Sequence, residues 1–338
     1  MLSFLHSIFG NAAAAGGYPE SLVKAAIERA VDGTDPSLRA VSGYQRRLKP
    51  AVVHAIDYVV ALVDGMAPPI DLAPDSYHDN PLLRDFFISG TEVRELIGSD
   101  RNLADFLRGE AEPLHRVTAL LALEKHQKVI LGAELSGSIV LRDVPQTTVS
   151  FEAARLLDPA ASEQQTRRQL KRRAYDHLLS LALKCITVVK SEREELEGHR
   201  SLLQSKLNLL QRGGWGFDAS PADEQMDIAG LEEELGVIQE QLQKLGGDDG
   251  NLLEVYLEVV IDVLNRAEEH LWYRKESLIV DRMGIRRSEV SGEAPEVTLE
   301  TVGNDLGRSL VVSLVCLSGA VIQSSGAGGA NNHQVRTG

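Results

Sequence analysis

The stretch that decides the fold is SEQQTRRQLKRRAYDHLLSLALKCITVVKSEREELEGHRSLLQSKLNLLQR, residues 162–212. Ser162, followed by Gln165 three residues later, is typical of the capping box that starts a helix. The stretch contains no Pro, and Gly198 is its single Gly. The sequence therefore predicts one helix of 51 residues, about 75 Å long at 1.5 Å per residue.

A second helix is predicted after the segment GGWGFDASP, residues 213–221, because Pro221 at its start favours helix initiation. From Ile228 onward, apolar residues recur at alternating intervals of three and four, which is the spacing of a coiled-coil seam. We expect this seam to pack against a similar one on the first helix. The predicted seam residues are Leu196, Leu203, Leu207, Leu210, Ile228, Leu231, Leu235, Ile238 and Leu242.

The lengths of the two paths predict an antiparallel hairpin. The return path includes the break GGDDGN and a third predicted helix from about Leu252 to Lys275. It is nearly as long as the outgoing helix, so an extended hairpin brings Ser162 opposite about Lys275. The alternative is that the third helix folds back at GGDDGN to form a compact bundle.

Charge and hydrophobicity favour the hairpin. Residues 162–212 hold 11 Lys and Arg against 6 Asp and Glu, whereas residues 214–263 hold 1 against 13. Opposite charges on facing helices favour their pairing. Residues 178–189 and 252–260 are apolar on more than one face, so we expect the base of the hairpin to be buried in a domain.

The segments around the hairpin alternate as β-strands do. Three strands are predicted before it (128–135, 138–144 and 147–153) and three after it (277–283, 296–302 and 309–317). Residues 18–126 are predicted to be helical, ending with a helix from about Glu112 to His126.

The predicted fold class is therefore α+β, mostly α. An N-terminal helical domain (18–126) accompanies a small antiparallel β-sheet of about six strands (127–157 plus 276–317). A coiled-coil hairpin (158–275) is inserted between strands three and four. Residues 1–17 are predicted to be a flexible N-terminus, and residues 318–338, rich in Gly, Ser and Asn, a disordered tail.

Composition narrows the classes of function. The net charge of −14 argues against non-specific nucleic-acid binding, because phosphates are repelled. Cys185 and Cys316 lie in apolar runs and are expected to be buried and reduced, which favours a cytoplasmic location. The apolar run 310–322 is too short to span a bilayer. Residues 1–9 could form an amphipathic turn, so an alternative is a peripheral membrane protein held by that segment.

The leading functional hypothesis is a non-enzymatic cytoplasmic interaction or scaffold protein. The predicted hairpin tip contains Trp215 and Phe217 between glycines, and exposed aromatic residues of this kind often anchor a protein partner. The alternative is that both rings fold back and cap the apolar end of the hairpin. The partner is not identified by the sequence, and self-association into a homo-oligomer is a further expectation.

The rival hypothesis is an enzyme or a small-ligand-binding protein with a pocket between the helical domain and the sheet. No nucleotide-binding, metalloprotease or hydrolase motif is found, so we predict no catalytic residue, no cofactor and no metal. His54 and Asp57 alone make a weak metal motif. Such a pocket would use residues at strand ends, which are Arg142, Asp143, Asp281 and Arg282.

A basic cluster lies near the base of the predicted hairpin. Its charges could bind an anion or nucleic acid, but the predicted register places them near Glu268 and Glu269. We therefore expect intramolecular ion pairs. The cluster consists of Arg167, Arg168, Lys171, Arg172 and Arg173.

Overall fold

A computed structural model describes residues 17–111, 114–136, 139–211, 221–247, 249–281, 283–291 and 294–329. The chain divides into two compact units. Unit 1 consists of the described residues up to Asp57 together with Tyr175–Ala267, and unit 2 of Tyr58–Ala174 together with the described residues from Glu268 onward. All three boundaries between the units fall inside helices.

Helices account for most of unit 1, and unit 2 combines helices with a sheet. The helices are α1 (Glu20–Gly33), α2 (Tyr44–Asp64), α3 (Pro81–Phe86), α4 (Gly90–Ser99), α5 (Arg101–Gly109), α6 (Glu163–Gln211), α7 (Pro221–Lys244), α8 (Asp249–Asn265), α9 (Ala267–His270) and α10 (Gly319–Gly329). Two short 3-10 helices span Pro36–Ala40 and Asp75–Tyr77. The strands are β1 (Ile70–Asp71), β2 (Arg116–Ser136), β3 (Ile139–Ala160), β4 (Leu271–Ile279), β5 (Glu296–Asn304) and β6 (Ser309–Ser318).

The long helix is confirmed, since α6 is a single helix of 49 residues. Arg193 contacts the carbonyl of Gly246, and Arg200, seven residues further along α6, contacts Gln239, seven residues earlier. The two helices therefore run antiparallel. The observed pairs lie within two residues of the predicted register, which placed Arg193 opposite Lys244 and Arg200 opposite Val237.

The third helix continues the hairpin. The ammonium of Lys190 lies 5.1 Å from the centre of the Tyr256 ring on α8. Because Lys190 precedes Arg193 on α6 and Tyr256 follows Gly246, α8 extends along α6 in the same direction as α7. This arrangement is the extended hairpin, and the alternative fold-back at GGDDGN is wrong.

The base of the hairpin is buried in unit 1, as the sequence predicts. Leu178, Ala182 and Ile186 on α6 and Leu257 and Val260 on α8 are fully buried. The expectation for one cysteine is wrong, however, because Cys185 is exposed while Cys316 is buried. The buried positions of α6 recur every four residues on one face, and the residue before Ile186 lies about 100° away from that face.

The sheet lies in unit 2 with the strand order β3-β2-β6-β5-β4, and neighbouring strands in this order are antiparallel. The two-residue strand β1 pairs with β6 in parallel. Helix α6 lies between β3 and β4 in the chain. The predicted fold class, an α+β protein with a helical hairpin inserted into an antiparallel sheet, is therefore confirmed.

The predicted helix from Glu112 to His126 is wrong, because Arg116–Ser136 forms strand β2. From Val117 to Leu123 both faces of this strand are buried. A strand buried on both faces has a nearly continuous apolar sequence. Such a run cannot be distinguished from a buried helix by periodicity alone.

Three strands were predicted between residues 128 and 153, but the structure has two longer strands, β2 and β3. Ser136 at the end of β2 pairs with Ile139 at the start of β3. Gly137, the second residue of the predicted turn, lies outside the described residues. Strand β3 continues through Pro145. Proline is tolerated there because β3 is an edge strand, and residues along its outer side need not donate an amide hydrogen bond to a neighbouring strand.

Two boundaries near the C-terminus also differ. Strand β4 begins at Leu271, inside the predicted third helix, and ends at Ile279 rather than at residue 283. Residues 319–329 of the predicted disordered tail form α10, because Val321 and Ile322 pack against the apolar core of unit 2. Residues 1–16, which include most of the predicted flexible N-terminus, and residues 330–338 lie outside the described residues.

Candidate functional site: the helical hairpin and the unit 2 cleft

The predicted tip residues Trp215 and Phe217 lie outside the described residues, since the description of the hairpin ends at Gln211 and resumes at Pro221. The predicted seam lies within it. The structure brings all nine seam residues into one apolar cluster. The buried members are Leu203, Leu207, Leu231, Ile238 and Leu242, and the half-buried ones are Leu196, Leu210, Ile228 and Leu235.

A polar contact fixes the level at which the two helices meet. The guanidinium of Arg193 donates to the carbonyls of Gly246 at 3.5 Å and Gly247 at 3.4 Å. Both glycines follow the C-terminal end of α7, where backbone carbonyls lack helical partners and a cation is favourable. Arg193 also pairs with Glu197 on its own helix at 2.8 Å. Its position therefore sets the register of α6 against α7.

One side of the hairpin exposes large apolar residues outside the seam. Leu202, Leu209 and Val237 are 67%, 71% and 52% exposed, and each immediately precedes a seam residue. In an antiparallel pair of right-handed helices, the positions that precede the seam point to the same side of both helices. His199 Nε2 contacts Glu234 Oε1 at 3.6 Å. Glu234 precedes the seam residue Leu235, and His199 precedes Arg200, which occupies the helical position midway between the seam residues Leu196 and Leu203.

We call this side the hairpin face. It consists of His199, Leu202, Lys206 and Leu209 on α6 and Gly230, Glu234 and Val237 on α7. All seven residues are exposed and lie beside the seam. The hairpin face combines apolar residues with one basic and one acidic side chain. This composition resembles that of protein interfaces more than that of an ordinary solvated helix surface.

Members of the basic cluster form intramolecular ion pairs, as expected. Within unit 2, Arg167 also donates to the Val63 carbonyl at 2.6 Å. The pairs are Arg167 with Glu163 at 2.8 Å, Lys171 with Asp64 at 2.7 Å and Arg173 with Asp158 at 2.6 Å.

A cleft of about 850 Å³ lies within unit 2. Its walls come from α3, the start of α4, strand β3 and the loop after β4. Apolar rings and carboxylates share its lining, which includes Tyr77, Asp85, Phe86, Phe151, Glu152 and Asp281. The rings are held in place: Phe86 packs edge-to-face on Phe151 at 5.1 Å, and the Tyr77 hydroxyl donates to the Ile88 carbonyl at 2.7 Å.

Asp85 is the chemically unusual group of the cleft. Its Oδ2 atom is buried and has no hydrogen-bond partner among the described residues. Burial raises the pKa of Asp85 from 3.8 to about 6, against the smaller opposing effect of the Arg84 charge. A buried carboxylate oxygen without a partner is costly, and perturbed carboxyl groups in clefts are typical of functional sites. No motif in the sequence marks Asp85.

Strand β3 is bent where it lines the cleft. Ala122 pairs with Arg155 and Glu124 with Glu152, so Leu123 alone faces two residues of β3. This β-bulge holds Ala153 at a φ of 53°, a left-handed conformation that L residues rarely adopt. The other two bulges of the β2–β3 pair contain Asp143 and Asp158 at positive φ as well.

Of the four strand-end residues predicted for a pocket, Asp281 lines the cleft. Its carboxylate accepts hydrogen bonds from the amides of Met283 and Ile285 and pairs with Arg287 at 2.6 Å. Burial would raise the pKa of Asp281, but these hydrogen bonds outweigh it and hold the pKa below its usual value. Asp281 therefore organises the loop. Arg142 and Asp143 do not line the cleft, and Arg282 lies outside the described residues.

Comparisons with known protein families, with curated proteins and with solved structures found no match. Within the part of the chain that the structure describes, no group of three or more His, Cys, Asp or Glu side chains is placed to hold a metal ion. None of the described helices combines the length and the apolar composition that crossing a membrane requires.

Proposed function

We propose that this chain is a non-enzymatic interaction protein that binds a protein partner through its helical hairpin. The observation that carries the proposal is the exposure of Leu202, Leu209 and Val237 on the hairpin face. The seam already buries the apolar residues that the hairpin needs for its own packing. Large apolar side chains aligned beside a complete seam are typical of a surface that another protein covers.

The tip belongs to the same proposal. Trp215 and Phe217 lie between the two helices of the hairpin in the sequence, and aromatic residues contribute strongly to the energy of protein interfaces. We further propose a cytoplasmic location. The free thiols of Cys185 and Cys316 support it, because unpaired cysteines are typical of reducing compartments.

The test is an affinity purification with the full-length chain in three forms. The first is the wild type, the second carries Leu202→Ala and Leu209→Ala, and the third carries Gln204→Ala and Asn208→Ala. Gln204 and Asn208 each follow a seam residue, so they lie on the opposite side of α6 and provide the matched control. We expect partners to be lost from the leucine variant and retained by the control. Partners retained equally by all three forms contradict the proposal.

The tip is tested separately with Trp215→Ala and Phe217→Ala. We expect weaker retention of the same partners, because the tip and the hairpin face belong to one binding surface in this proposal. Unchanged retention removes the tip from the proposal but leaves the hairpin face as its subject.

A second candidate function is binding of a small ligand in the unit 2 cleft, and the specific observation that favours it is Asp85. A carboxylate in a cleft walled by aromatic rings suits a ligand that carries an amine or guanidine, because such a cation contacts both the carboxylate and the ring faces. The probes are spermidine, agmatine and arginine, tested by calorimetry at pH 7.5. We expect heat of binding with wild type and its loss in Asp85→Asn. Binding that is equal in the two proteins excludes Asp85 as the recognition group.

A further inference from the structure

We propose that the hairpin face is covered by a second copy of this chain, so that two hairpins form a symmetric dimer with α6 of each copy lying on α7 of the other. This inference rests on the proposed function, because it names the partner of the same surface. It is carried by the levels, shapes and charges of the residues on the hairpin face.

The levels of the residues make the face self-complementary. The contact of Arg200 with Gln239 sets Leu202 level with Val237 and Leu209 level with Gly230, to within a residue. A two-fold axis parallel to the helices keeps every residue at its level and exchanges the α6 side for the α7 side. Leu202 of one copy then meets Val237 of the second copy, and Leu209 meets Gly230. Closed two-fold pairing of one surface with itself is the commonest form of protein assembly.

Shape agrees with this pairing at Gly230. A Cβ atom built at Gly230 meets nothing within 4 Å, so the backbone of α7 is open at this level. A glycine lets another side chain approach the helix backbone closely. In the dimer, Gly230 faces Leu209 of the second copy, and this leucine is 71% exposed in the single chain. A projecting side chain and an open position therefore face one another at the same level.

Charge selects this arrangement over the other two-fold one. Residues 198–211 of α6 contain Arg200 and Lys206 and no acidic residue, whereas residues 228–243 of α7 contain four glutamates and no basic residue. With α6 on α7, Lys206 comes beside Glu234 of the second copy. A two-fold axis perpendicular to the helices places α6 on α6, so that this basic segment faces its own copy. Like charges at an interface disfavour that pairing.

The first experiment measures the mass of the full-length protein by sedimentation equilibrium over a range of concentrations. We expect wild type to associate to twice the mass of one chain, which is 36.8 kDa. Leu202→Glu and Leu209→Glu should leave a monomer, and Gln204→Glu, on the opposite side of α6, should remain a dimer. Circular dichroism checks that each variant keeps its helices. A wild type that stays monomeric, or a dimer that survives both leucine variants, overturns the inference.

The second experiment tests the arrangement of the two copies by charge reversal. Lys206→Glu alone and Glu234→Lys alone should each be monomeric, because each places like charges at the interface. When the two variants are mixed, every interface pair again joins opposite charges, so heterodimers should form. An ion pair within one hairpin cannot be restored by mixing two folded proteins. The absence of heterodimers from the mixture contradicts the proposed arrangement.

These results are distinguishable from a failure of the proposed function. If the wild type is monomeric while other proteins are retained through Leu202 and Leu209, the inference fails and the proposed function stands. If the dimer forms but disappears equally in Gln204→Glu and in the leucine variants, the inference fails, whereas the proposed function fails if other proteins are retained equally by the leucine variant and its control.

Discussion

Lys190 on α6 donates a hydrogen bond of 2.7 Å to Oδ2 of Asp35, while Oδ1 of the same carboxylate accepts from the amide of Ser37 at 2.9 Å. Asp35 therefore caps the 3-10 helix Pro36–Ala40 and binds it to the base of the hairpin. Removing a cap costs about 1 kcal/mol, and losing an ion pair whose lysine is partly exposed costs up to about 1 kcal/mol more. We predict that Asp35→Ala lowers the free energy of unfolding by about 2 kcal/mol, measured by urea denaturation.

The matched control is Asp32→Ala in the same segment. Asp32 also pairs with a cation, Arg39, at 2.6 Å, but its side chain is exposed and it caps no helix. An exposed ion pair contributes less than about 1 kcal/mol. Equal losses in the two variants would show that the cap and the contact with Lys190 add nothing to unit 1.

Asp85 makes the stability of unit 2 depend on pH. Its pKa in the folded protein, about 6, is higher than its ordinary value of 3.8. The protonated carboxyl group therefore makes its full contribution to the free energy of unfolding below about pH 4, and this contribution is lost as the pH rises through 6. Allowing for partial solvent access, the loss is about 1–2 kcal/mol.

We predict that Asp85→Asn is more stable than wild type at pH 7.5 by that amount and about equally stable at pH 4, because asparagine carries no charge to bury. The measurement is the urea midpoint of both proteins at the two pH values. The difference between the proteins isolates Asp85 from other titrating groups. An advantage of the variant that does not change with pH would contradict the role assigned to this carboxyl group.

The hairpin could be predicted because its determinants lie within the sequence of two segments. The uninterrupted run from Ser162, the spacing of the seam and the opposite charges are all local patterns, and α6 and α7 meet as they require. Strand β2 was missed for the converse reason. Its residues from Val117 to Leu123 favour a helix by propensity, whereas their pairing with β3 and β6 and the burial of both faces are tertiary effects.

The candidate sites were predicted unequally. The seam was identified from the sequence. The exposed residues beside it could be recognised as one surface only after the register showed that Leu202 and Val237 lie on the same side of the hairpin. Asp85 could not be identified, because its burial depends on β3 and on the loop after β4, far away in the sequence. Asp281 was proposed for a pocket and does line one, yet its hydrogen bonds give it a structural role.

Neighbouring leucines on α6 should differ sharply in their effect on the hairpin. Leu203 is buried in the seam, and Leu202 is exposed on the hairpin face. A buried Leu→Ala change costs about 2–3 kcal/mol, whereas a change at an exposed position costs less than about 0.5 kcal/mol. We predict that Leu203→Ala raises hydrogen exchange along residues 196–211 and 228–244, and that Leu202→Ala, measured in dilute solution, does not. Similar exchange in both variants would contradict the seam.

The loop after β4 depends on Gly284. Its φ is +75°, its carbonyl accepts from the Val149 amide at 2.7 Å, and a Cβ atom there would lie 2.8 Å from the Val149 carbonyl oxygen. Gly307, with a φ of +73°, has nothing within 4 Å of the corresponding position. Alanine at either site incurs the cost of a left-handed conformation, about 1 kcal/mol. At Gly284 the backbone clash adds to this cost.

We therefore predict that Gly284→Ala lowers the free energy of unfolding by about 1–2 kcal/mol more than Gly307→Ala does. Because Gly284 lines the cleft with Asp85, displacement of the loop should admit water to that carboxyl group and lower its pKa toward 3.8. The stability of Gly284→Ala should then vary less than that of wild type between pH 4 and pH 7.5, while Gly307→Ala keeps the wild-type dependence. Equal losses of unfolding free energy in the two alanine variants would show that the Val149 carbonyl moves away from the new Cβ atom without destabilising the protein.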